Sequence, residues 1–304
     1  MDNVSAVIVT FHPDDGIISR IKKIAEQVSK IYIIDNSNNG EYKCLFDDLD
    51  SEYRSKLDVT ILGENRGVST ALNIGLKKSY TDGFYLAVTF DQDSTICDGF
   101  ISTLCKTFNE NDDGKLALVG CNFVDSSDFT NKLKFVRFSR FGYEKIHADH
   151  DVNVDLLITS GCLTNIHILA ALGWFKDELF IDYVDTEYCL RCAIHGYKCM
   201  VSSDAHMIHQ LGDQKIKKIK NITIRPSNHN ENRRYYMARN SIYVYRMYGV
   251  KYPGWLLFDI TDTIKNLIKI CLFESQKSMK LKMYVRGWLD GFLNRYGPYD
   301  GFKD

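Results

Sequence analysis

The chain has 304 residues, of which 45% are hydrophobic and 25% are charged, which is ordinary for a globular protein with a core of its own. No apolar run approaches the roughly 20 residues needed to cross a bilayer, so we expect no membrane-spanning helix. Charge is unevenly distributed, because residues 215–304 hold 18 Lys and Arg against 7 Asp and Glu, whereas residues 1–214 hold 20 against 32. A basic end on an acidic body predicts an anionic partner for that end.

Cysteine usage and the first residues indicate the compartment. The nine cysteines are odd in number and irregularly spaced, and the chain starts with a strand pattern instead of a targeting segment. We therefore expect reduced thiols and a cytoplasmic protein. Cys189 and Cys192 form a Cys-x-x-Cys pair without a second pair, which favours core packing over zinc binding.

Strand and helix patterns alternate along the first part of the chain. Strand-like apolar runs lie at Val4–Phe11, Ile31–Asp35, Val59–Leu62, Phe84–Asp91 and Val154–Thr159, and helical spacing lies at Asp14–Lys30 and from Val68 to about Ser79. This order predicts an α/β fold with a mainly parallel sheet flanked by helices.

Two carboxylates follow the strand that begins at Phe84. Side chains two positions apart on a strand share a face, so Asp91 and Asp93 are expected to project together from its carboxyl end. Open α/β sheets bind their ligands at this edge. A hard cation, Mg²⁺ or Mn²⁺, would offset the repulsion between the carboxylates and bridge to phosphate oxygens. The alternative is a turn in which an Asp caps the next helix.

Two other strand ends are predicted to reach the same edge. Asp35 ends the second strand, and its carboxylate can accept a hydrogen bond from a nucleobase imide or a ribose hydroxyl. Arg66 and Gly67 follow the third strand, where the guanidinium can bind a diphosphate or a base and the glycine allows a turn into a helix. An Asx-turn at Asp35 and a surface ion pair at Arg66 are the alternatives.

The motifs at these strand ends occur together in a known family. They are Val9-Thr-Phe-His-Pro13, Ile34-Asp-Asn-Ser37, the stretch from Glu64 to Asn73, and Phe90-Asp-Gln-Asp-Ser94. Together they resemble the inverting GT-A glycosyltransferases of the family 2 type, and the Asp-Gln-Asp-Ser form is similar to the rhamnosyltransferase branch, which acts in bacterial surface polysaccharide assembly. Further matches at Gly173–Phe175, Phe180–Arg191, His209–Gly212 and Arg234–Asn240 extend the resemblance to roughly residues 4–245.

This resemblance implies roles for individual residues. Thr10, Phe11 and Arg66 would contact a nucleotide-sugar donor, Asp35 would hold its base, and the metal–diphosphate would be held by Asp91 and Asp93, with His209 as a third metal ligand. The residue types at two further positions also predict donor contacts. Gly161 allows close approach of a sugar or tight packing, and Trp174 can stack on a sugar, line the acceptor site or pack in the core.

An inverting transfer needs one base that deprotonates the acceptor hydroxyl. The family places this carboxylate at the start of a helix, usually as Glu-Asp. The pair here is Val184-Asp185, so Asp185 is the match and the preceding Glu is missing. In the alternative, Asp185 is only a helix-start residue and Asp182 is the base; Glu187 also lies close by.

The C-terminal region has a different character. Arg233–Tyr248 is predicted to be a helix rich in Arg and Tyr. Trp255–Phe273 is predicted to be an amphipathic helix with apolar residues at period four and lysines beside them; the apolar set is Leu256, Ile260, Ile264, Ile268 and Leu272. Such a helix can pack on another helix, form a homodimer, or attach peripherally to an anionic membrane face. No recognised nucleic-acid motif accompanies the basic charge.

We therefore predict a GT-A catalytic domain over residues 1–215 and a helical extension over residues 216–304. The expected reaction is inverting transfer of L-rhamnose from dTDP-L-rhamnose to a lipid-linked glycan in bacterial surface polysaccharide synthesis. The alternatives are another donor such as a UDP-hexose, a nucleotidyltransferase, and a non-catalytic assembly subunit. Glycine-rich phosphate loops of the P-loop and dinucleotide-binding types are absent from the sequence.

Overall fold

The structure is a computed structural model that describes residues 3–42, 45–46, 51–125, 134–209, 217–219, 222–224 and 228–302. The chain divides into two compact units. The first comprises Met1–Arg137, Lys145–Asp177 and Val184–Gln210, and the second comprises Phe138–Glu144, Glu178–Tyr183 and Leu211–Asp304. Each unit thus takes up three separate segments of the chain. The division into two consecutive domains at residue 215 stays a prediction.

The described elements follow the predicted alternation. The strands are β1 (Val4–Thr10), β2 (Lys30–Asn38), β3 (Leu57–Gly63), β4 (Leu86–Asp91), β5 (Thr95–Ile96), β6 (Leu116–Asp125), β7 (Phe135–Ser139), β8 (Gly142–Ile146), β9 (Val152–Val154), β10 (Cys162–Asn165), β11 (Lys198–His209), β12 (Lys217–Ile219) and β13 (Ile222–Ile224). The helices are α1 (Ile17–Ala25), α2 (Ser51–Arg54), α3 (Val68–Thr81), α4 (Phe100–Asn111), α5 (Ile166–Leu172), α6 (Val184–Ile194), α7 (Glu231–Tyr248), α8 (Pro253–Phe273) and α9 (Lys277–Phe292).

The main sheet belongs to the first unit. Its strands lie in the order β3-β2-β1-β4-β10-β6-β11-β5, and β9 pairs with β11. Neighbouring strands among β1 to β4 are parallel, and β10 runs antiparallel to both β4 and β6, so that β6 and β11 point the same way as β4. The carboxyl ends of these parallel strands therefore share one edge. This arrangement confirms the predicted α/β fold with a mainly parallel sheet.

Helix α3 lies unusually close to the sheet. A Cβ atom at Gly75 would stand 2.4 Å from Val7 Cγ1 and 3.3 Å from Ile34 Cγ1, so any side chain there would push the helix away. The first turn of α3 is consequently fixed next to the carboxyl ends of β1 and β2. Buried isoleucines of α1, such as Ile21 and Ile24, are part of the hydrophobic core cluster that includes these strands, and each contributes roughly 1.5–3 kcal/mol by burial.

The strand predicted at Val154–Thr159 is wrong. Strand β9 ends at Val154, strand β10 begins at Cys162, and the residues between them form a loop. This loop is apolar because Leu157 is buried against Gly120, where a Cβ atom would stand 2.5 Å from Leu157 Cδ2. A short apolar run marks burial, and its periodicity alone does not reveal whether the backbone pairs in a sheet.

The second unit contains a buried ion cluster. Arg234 Nη2 donates to Glu274 Oε1 at 2.6 Å, and Lys280 Nζ donates to Glu274 Oε2 at 2.9 Å. Burial by itself raises the pKa of Glu274, but the hydrogen bonds and charges of Lys280 and Arg234 outweigh it and lower the pKa below the ordinary value. Since the three residues come from α7, the link between α8 and α9, and α9, the cluster joins these helices.

The second unit also contains a backbone segment in a rare conformation. Within Glu178–Tyr183, Phe180, Asp182 and Tyr183 have φ values of 64°, 63° and 65°. Non-glycine residues disfavour this left-handed region by about 1–2 kcal/mol each. Surrounding contacts must therefore hold the segment in place.

Helix α7 supplies these contacts through two adjacent side chains. Asn240 Nδ2 lies 2.8 Å from the carbonyl oxygens of Leu179 and Ile181 and 3.0 Å from that of Asp182. Arg239 Nη2 donates to the carbonyls of Glu178 and Leu179, each at 3.1 Å. The C-terminal part of the Arg234–Asn240 motif thus acts as a clamp on the segment that leads into α6.

Helix α8 presents apolar side chains on both of its faces. Trp255 and Ile270 are buried on one face. The opposite face carries an exposed row, which we call the α8 stripe, consisting of Leu257 (47% exposed), Ile260 (41%), Ile264 (50%), Ile268 (51%) and Leu272 (60%). The predicted helix is confirmed, although Leu256 of the predicted apolar set is only half-buried and lies outside the stripe. Among the described residues, no helix is long and apolar enough to span a membrane.

Candidate active site

Asp35 is fully buried at the carboxyl edge of the sheet. Thr10 Oγ1 donates to Asp35 Oδ1 at 2.9 Å, and Ser37 Oγ donates to the same oxygen at 2.7 Å. The other oxygen, Oδ2, is also buried and has no hydrogen-bond donor within reach in the part of the chain that is described. A buried acceptor without a donor costs about 1–3 kcal/mol. Asp35 is therefore oriented by two hydroxyl groups and keeps one oxygen available for a further donor.

The turn between β3 and α3 is tied to β2 by asparagines. The N–H of Arg66 donates to Asn36 Oδ1 at 2.8 Å, and Asn36 Nδ2 donates to Asn65 Oδ1 at 3.0 Å. Asn65 Oδ1 also accepts the N–H of Gly67, which has a φ of 84° and directly precedes α3. The half-exposed Arg66 guanidinium lies 3.7 Å from Glu64. A fixed backbone therefore presents a solvent-accessible cation at this edge.

Gln92, between the two aspartates, fixes a neighbouring turn. Its Oε1 accepts the N–H of Phe11 at 2.7 Å, and its carbonyl accepts Arg20 Nε at 2.7 Å. The turn after β1 and helix α1 are thereby fastened to the end of β4. In the sequence, position 92 is only the spacer of an Asp-x-Asp pattern, and no local signal shows that its amide reaches back to Phe11.

Asp91 and Asp93 are both exposed at the end of β4. The N–H of Asp91 donates to Ser160 Oγ at 3.2 Å, and the hydroxyl oxygens of Ser160 and Ser94 are 2.7 Å apart. The N–H of Ser94 donates to the carbonyl of Asp91 at 3.2 Å. The two serines thus brace the turn that carries both carboxylates.

The register of β11 bears on the predicted metal ligand His209. Ile208 pairs with Thr95 of the antiparallel strand β5, so the end of β11 lies beside the turn containing Asp93. The side chain of His209 lies outside the described residues. Within the described side chains, no group of three His, Cys, Asp or Glu is placed to hold a metal ion. The paired carboxylates still fit Mg²⁺ or Mn²⁺, since Mg²⁺ is commonly held by one or two carboxylates together with substrate phosphates and water.

Both the backbone conformation and the close packing at position 161 require a glycine. Its φ is 67°, and a Cβ atom would stand 2.8 Å from Cys121 Sγ and 2.9 Å from Met207 Sδ. Its N–H donates to the carbonyl of Thr89 in β4 at 2.8 Å. These contacts explain the glycine by packing, and its contact with a donor sugar stays a prediction.

The structure does not bring Trp174 to the residues at the carboxyl edge. Its ring lies 5.9 Å from that of Tyr80, and Lys77 Nζ lies 5.6 Å from its ring centroid. Both neighbours are in the second half of α3, which starts at the carboxyl edge and runs away from it. The sugar-stacking role of Trp174 therefore stays a prediction without a supporting contact.

Two of the three acidic candidates for the base are held by arginines. Glu187 is fully buried and accepts Arg191 Nη2 at 2.8 Å, and the same guanidinium donates to the carbonyls of Leu172 and Trp174. In the second unit, Arg233 donates to both oxygens of Asp182, at 2.5 Å to Oδ1 and 3.3 Å to Oδ2. An acceptor hydroxyl would have to compete with a guanidinium at either residue.

Asp185 has a different environment from these two residues. It lies half-buried in the first turn of α6, and its Oδ1 accepts the N–H of Thr186 at 2.7 Å. It also lines a narrow cavity together with Thr159, which directly precedes the Ser160 that contacts Asp91. Asp185 therefore belongs to the same unit as the carboxylate pair and lines the same cavity as the loop that braces this pair.

The fold and the carboxyl-edge residues define a transferase of the GT-A type. Residues 2–231 match the family described as "Glycosyltransferase like family 2". The chain belongs to this family and is a glycosyltransferase, as the motifs predicted. It is 32% identical over 298 residues to the dTDP-rhamnosyl transferase RfbF of Shigella flexneri, and the match covers 95% of each chain.

Solved structures show the same fold. GalNAc-T7 with UDP, GalNAc and Mn²⁺ superposes with a TM-score of 0.55 at 12% identity, over 69% of this chain and 44% of that one. TarS of S. aureus superposes with a TM-score of 0.53 at 14% identity, over 96% of this chain and 43% of that one. The chain thus spans less than half the length of either structure, and at these identities the likeness concerns the fold.

Proposed function

We propose that the protein is an inverting rhamnosyltransferase that moves L-rhamnose from dTDP-L-rhamnose to a hydroxyl group of a glycan. The observation that carries this proposal is the unused Oδ2 of the buried Asp35, which lies at the same sheet edge as the exposed Asp91 and Asp93. One end of this edge fits a nucleobase and the other fits a diphosphate. The similarity to a dTDP-rhamnosyl transferase supports the choice of sugar.

The donor nucleotide is held by groups already positioned in the structure. The imide N–H of thymine is a donor, and Asp35 Oδ2 is the acceptor that it needs. Thr10 keeps the carboxylate in the required orientation. Phe11 lies in the adjoining turn, and Arg66 offers its guanidinium to the diphosphate.

Asp91 and Asp93, with His209 at the end of β11, would hold Mg²⁺ or Mn²⁺. When bound, such a cation neutralises charge on the departing nucleoside diphosphate. The register that brings the end of β11 beside the Asp93 turn supports the assignment of His209.

Asp185 is the base that removes the proton from the acceptor hydroxyl as this oxygen attacks the anomeric carbon opposite the leaving group. The place of Asp185 on the wall of a cavity shared with Thr159, next to the Ser160 that contacts Asp91, supports this assignment. The missing glutamate before Asp185 is replaced by Val184, which is buried and has no charge to contribute.

Donor identity is tested by ligand-dependent thermal stabilisation. In the presence of Mn²⁺, dTDP-L-rhamnose should raise the melting temperature more than dTDP-D-glucose, UDP-glucose or UDP-N-acetylglucosamine, because only the native state binds donor. Asp35→Asn should weaken dTDP binding about 10- to 100-fold, since it removes a hydrogen bond to a charged acceptor. Release of dTDP marks sugar transfer, whereas release of pyrophosphate would show nucleotidyl transfer. Equal stabilisation by all nucleotide-sugars would contradict the proposed donor.

We further infer that the glycan acceptor is lipid-linked and that the α8 stripe lies on an anionic membrane face, with the protein otherwise in the cytoplasm. The stripe runs from Leu257 to Leu272, or roughly 22 Å along the helix. Lys265 and Lys269 flank it on one side, next to apolar side chains that are 41–60% exposed. This combination of an apolar face with adjoining cations is typical of helices that lie in the lipid interface.

The membrane contact is tested by co-sedimentation with vesicles that contain phosphatidylglycerol. Binding should weaken with added salt, because each lysine contributes about 1 kcal/mol at an anionic surface. Ile264→Asp combined with Ile268→Asp should abolish binding. Val250→Asp is the matched control, since Val250 is 94% exposed and lies outside the stripe. Absence of binding at low salt, together with a dimer that the double substitution dissociates, would instead identify the stripe as a homodimer interface.

A further inference from the structure

A narrow apolar cavity lies beside the proposed base in the first unit. Its volume is about 10 Å³, which leaves room for about one water-sized group. Asp185 lies at its wall, together with Leu157, Thr159, Cys162 and Phe175. Nearly all of the surface that faces the cavity is apolar, so Thr159 contributes mostly carbon instead of hydroxyl surface.

The position of the cavity relates it to the donor. Thr159 is followed by Ser160, whose hydroxyl accepts the N–H of Asp91, and by Gly161, whose N–H bonds to the carbonyl of Thr89. The cavity therefore lies between the loop that braces the diphosphate-binding carboxylates and the residue that faces the acceptor hydroxyl. A donor sugar with its anomeric carbon between these two groups would turn one edge of its ring toward the cavity.

The chemistry of the wall selects among sugars. A hexose carries a hydroxymethyl group on C5, whereas a 6-deoxy sugar carries a methyl group at the same place. A methyl group gains by leaving water for an apolar wall, whereas a hydroxyl group buried there loses its hydrogen bonds. The small cross-section also matches one methyl group better than a solvated hydroxymethyl group.

We propose that this cavity is the subsite for C6 of the donor, which takes the methyl group of a 6-deoxy sugar and disfavours the corresponding hexose. This inference rests on the proposed glycosyl transfer with Asp185 as the base. It adds a determinant of donor specificity that lies in the apolar residues of the β9–β10 loop, β10 and the segment before α6. None of these residues is one of the charged groups that hold the nucleotide or move the proton.

The first test uses the unmodified protein and two donors that differ by one hydroxyl group. Donor affinity and donor hydrolysis in the presence of Mn²⁺ and the absence of any acceptor are measured with dTDP-L-rhamnose and with dTDP-L-mannose, its 6-hydroxyl analogue. We expect dTDP-L-rhamnose to be favoured by about 10- to 100-fold in kcat/KM. The nucleotide dTDP, which carries no sugar, serves as the reference for nucleotide binding. Since no acceptor is present, any discrimination belongs to the donor.

The second test fills or widens the cavity. Cys162→Met adds volume at a residue that is 1% exposed on the cavity wall, and it should raise the Kd of dTDP-L-rhamnose at least about 10-fold while the Kd of dTDP is unchanged. Cys105→Met is the matched control, because Cys105 is a buried thiol of α4 that does not line this cavity. Leu157→Ala should have the opposite effect and reduce the preference for dTDP-L-rhamnose over dTDP-L-mannose several-fold.

The outcomes separate this inference from the proposed function. If dTDP-L-rhamnose neither binds nor reacts with the unmodified protein, the proposed rhamnosyl transfer is refuted, and the subsite with it. If dTDP-L-rhamnose reacts but dTDP-L-mannose is used equally well, the cavity is a packing void and only the subsite is refuted. Normal binding of dTDP shows that Cys162→Met is folded. If this folded variant also keeps its affinity for dTDP-L-rhamnose, the subsite is refuted.

Discussion

Replacing Asp185 with asparagine is expected to reduce sugar transfer by about 10²- to 10⁴-fold while donor affinity remains normal. The substitution keeps the size and polarity of the side chain, including an oxygen that can accept the N–H of Thr186, but it removes the ability to take a proton. Transfer is measured as dTDP released in the presence of acceptor, and donor affinity is measured separately by titration.

Asp182→Asn is the matched comparison for this experiment. Asp182 is held by Arg233, so its replacement should disturb the Glu178–Tyr183 segment and reduce transfer less than Asp185→Asn does. If Asp182→Asn abolishes transfer and Asp185→Asn retains near-normal turnover, Asp182 is the base. If both variants lose donor binding, the segment supports the donor site and the base lies elsewhere.

Replacing Asp93 with asparagine is expected to weaken metal-dependent donor binding by at least about 10- to 100-fold. Asp93 is exposed and lies at the end of β4, so its replacement should leave the fold intact. Binding of dTDP-L-rhamnose is titrated with Mn²⁺, with Mg²⁺ and with a chelator, and the loss should appear only when metal is present.

Asp98→Asn controls for the loss of one negative charge near this edge. Asp98 is an exposed carboxylate five residues further along the chain, where it pairs with Lys23, and its replacement should leave donor affinity unchanged. If Asp93→Asn binds the donor in Mn²⁺ as tightly as the unmodified protein does, Asp93 does not hold the cation.

The residues at the ends of parallel strands were predictable because two local rules locate them. Apolar runs mark β1, β2 and β4, and the connectivity of a parallel sheet brings their carboxyl ends to one edge. Asp35 and Asp91 could therefore be placed at a common edge without any coordinates. The exposed α8 stripe was likewise visible as a period-four pattern, although the pattern did not reveal which apolar face is buried.

The contacts that support the site were not predictable in this way. Gln92 bonds to Phe11 across 81 positions, and Ser160 bonds to Asp91 across 69 positions. Asn73 of α3 bonds to both the N–H and the carbonyl of Phe175 across 102 positions. Such bonds have no periodicity, because they depend on how distant segments meet after folding. One feature of Asn73 is visible in the sequence: it is a polar residue on the inward side of α3, next to Ala71 and Leu72.

The clamp formed by Arg239 and Asn240 has a consequence for synthesis of the protein. These side chains hold backbone that precedes them by about 60 positions, and that backbone leads directly into the helix that carries Asp185. A nascent chain that ends near residue 215 has its parallel strands but lacks the groups that keep Phe180, Asp182 and Tyr183 in their left-handed conformation. These contacts therefore cannot form on the ribosome until α7 has been synthesised. The segment that precedes α6 thus depends on residues that are translated about 60 positions after it.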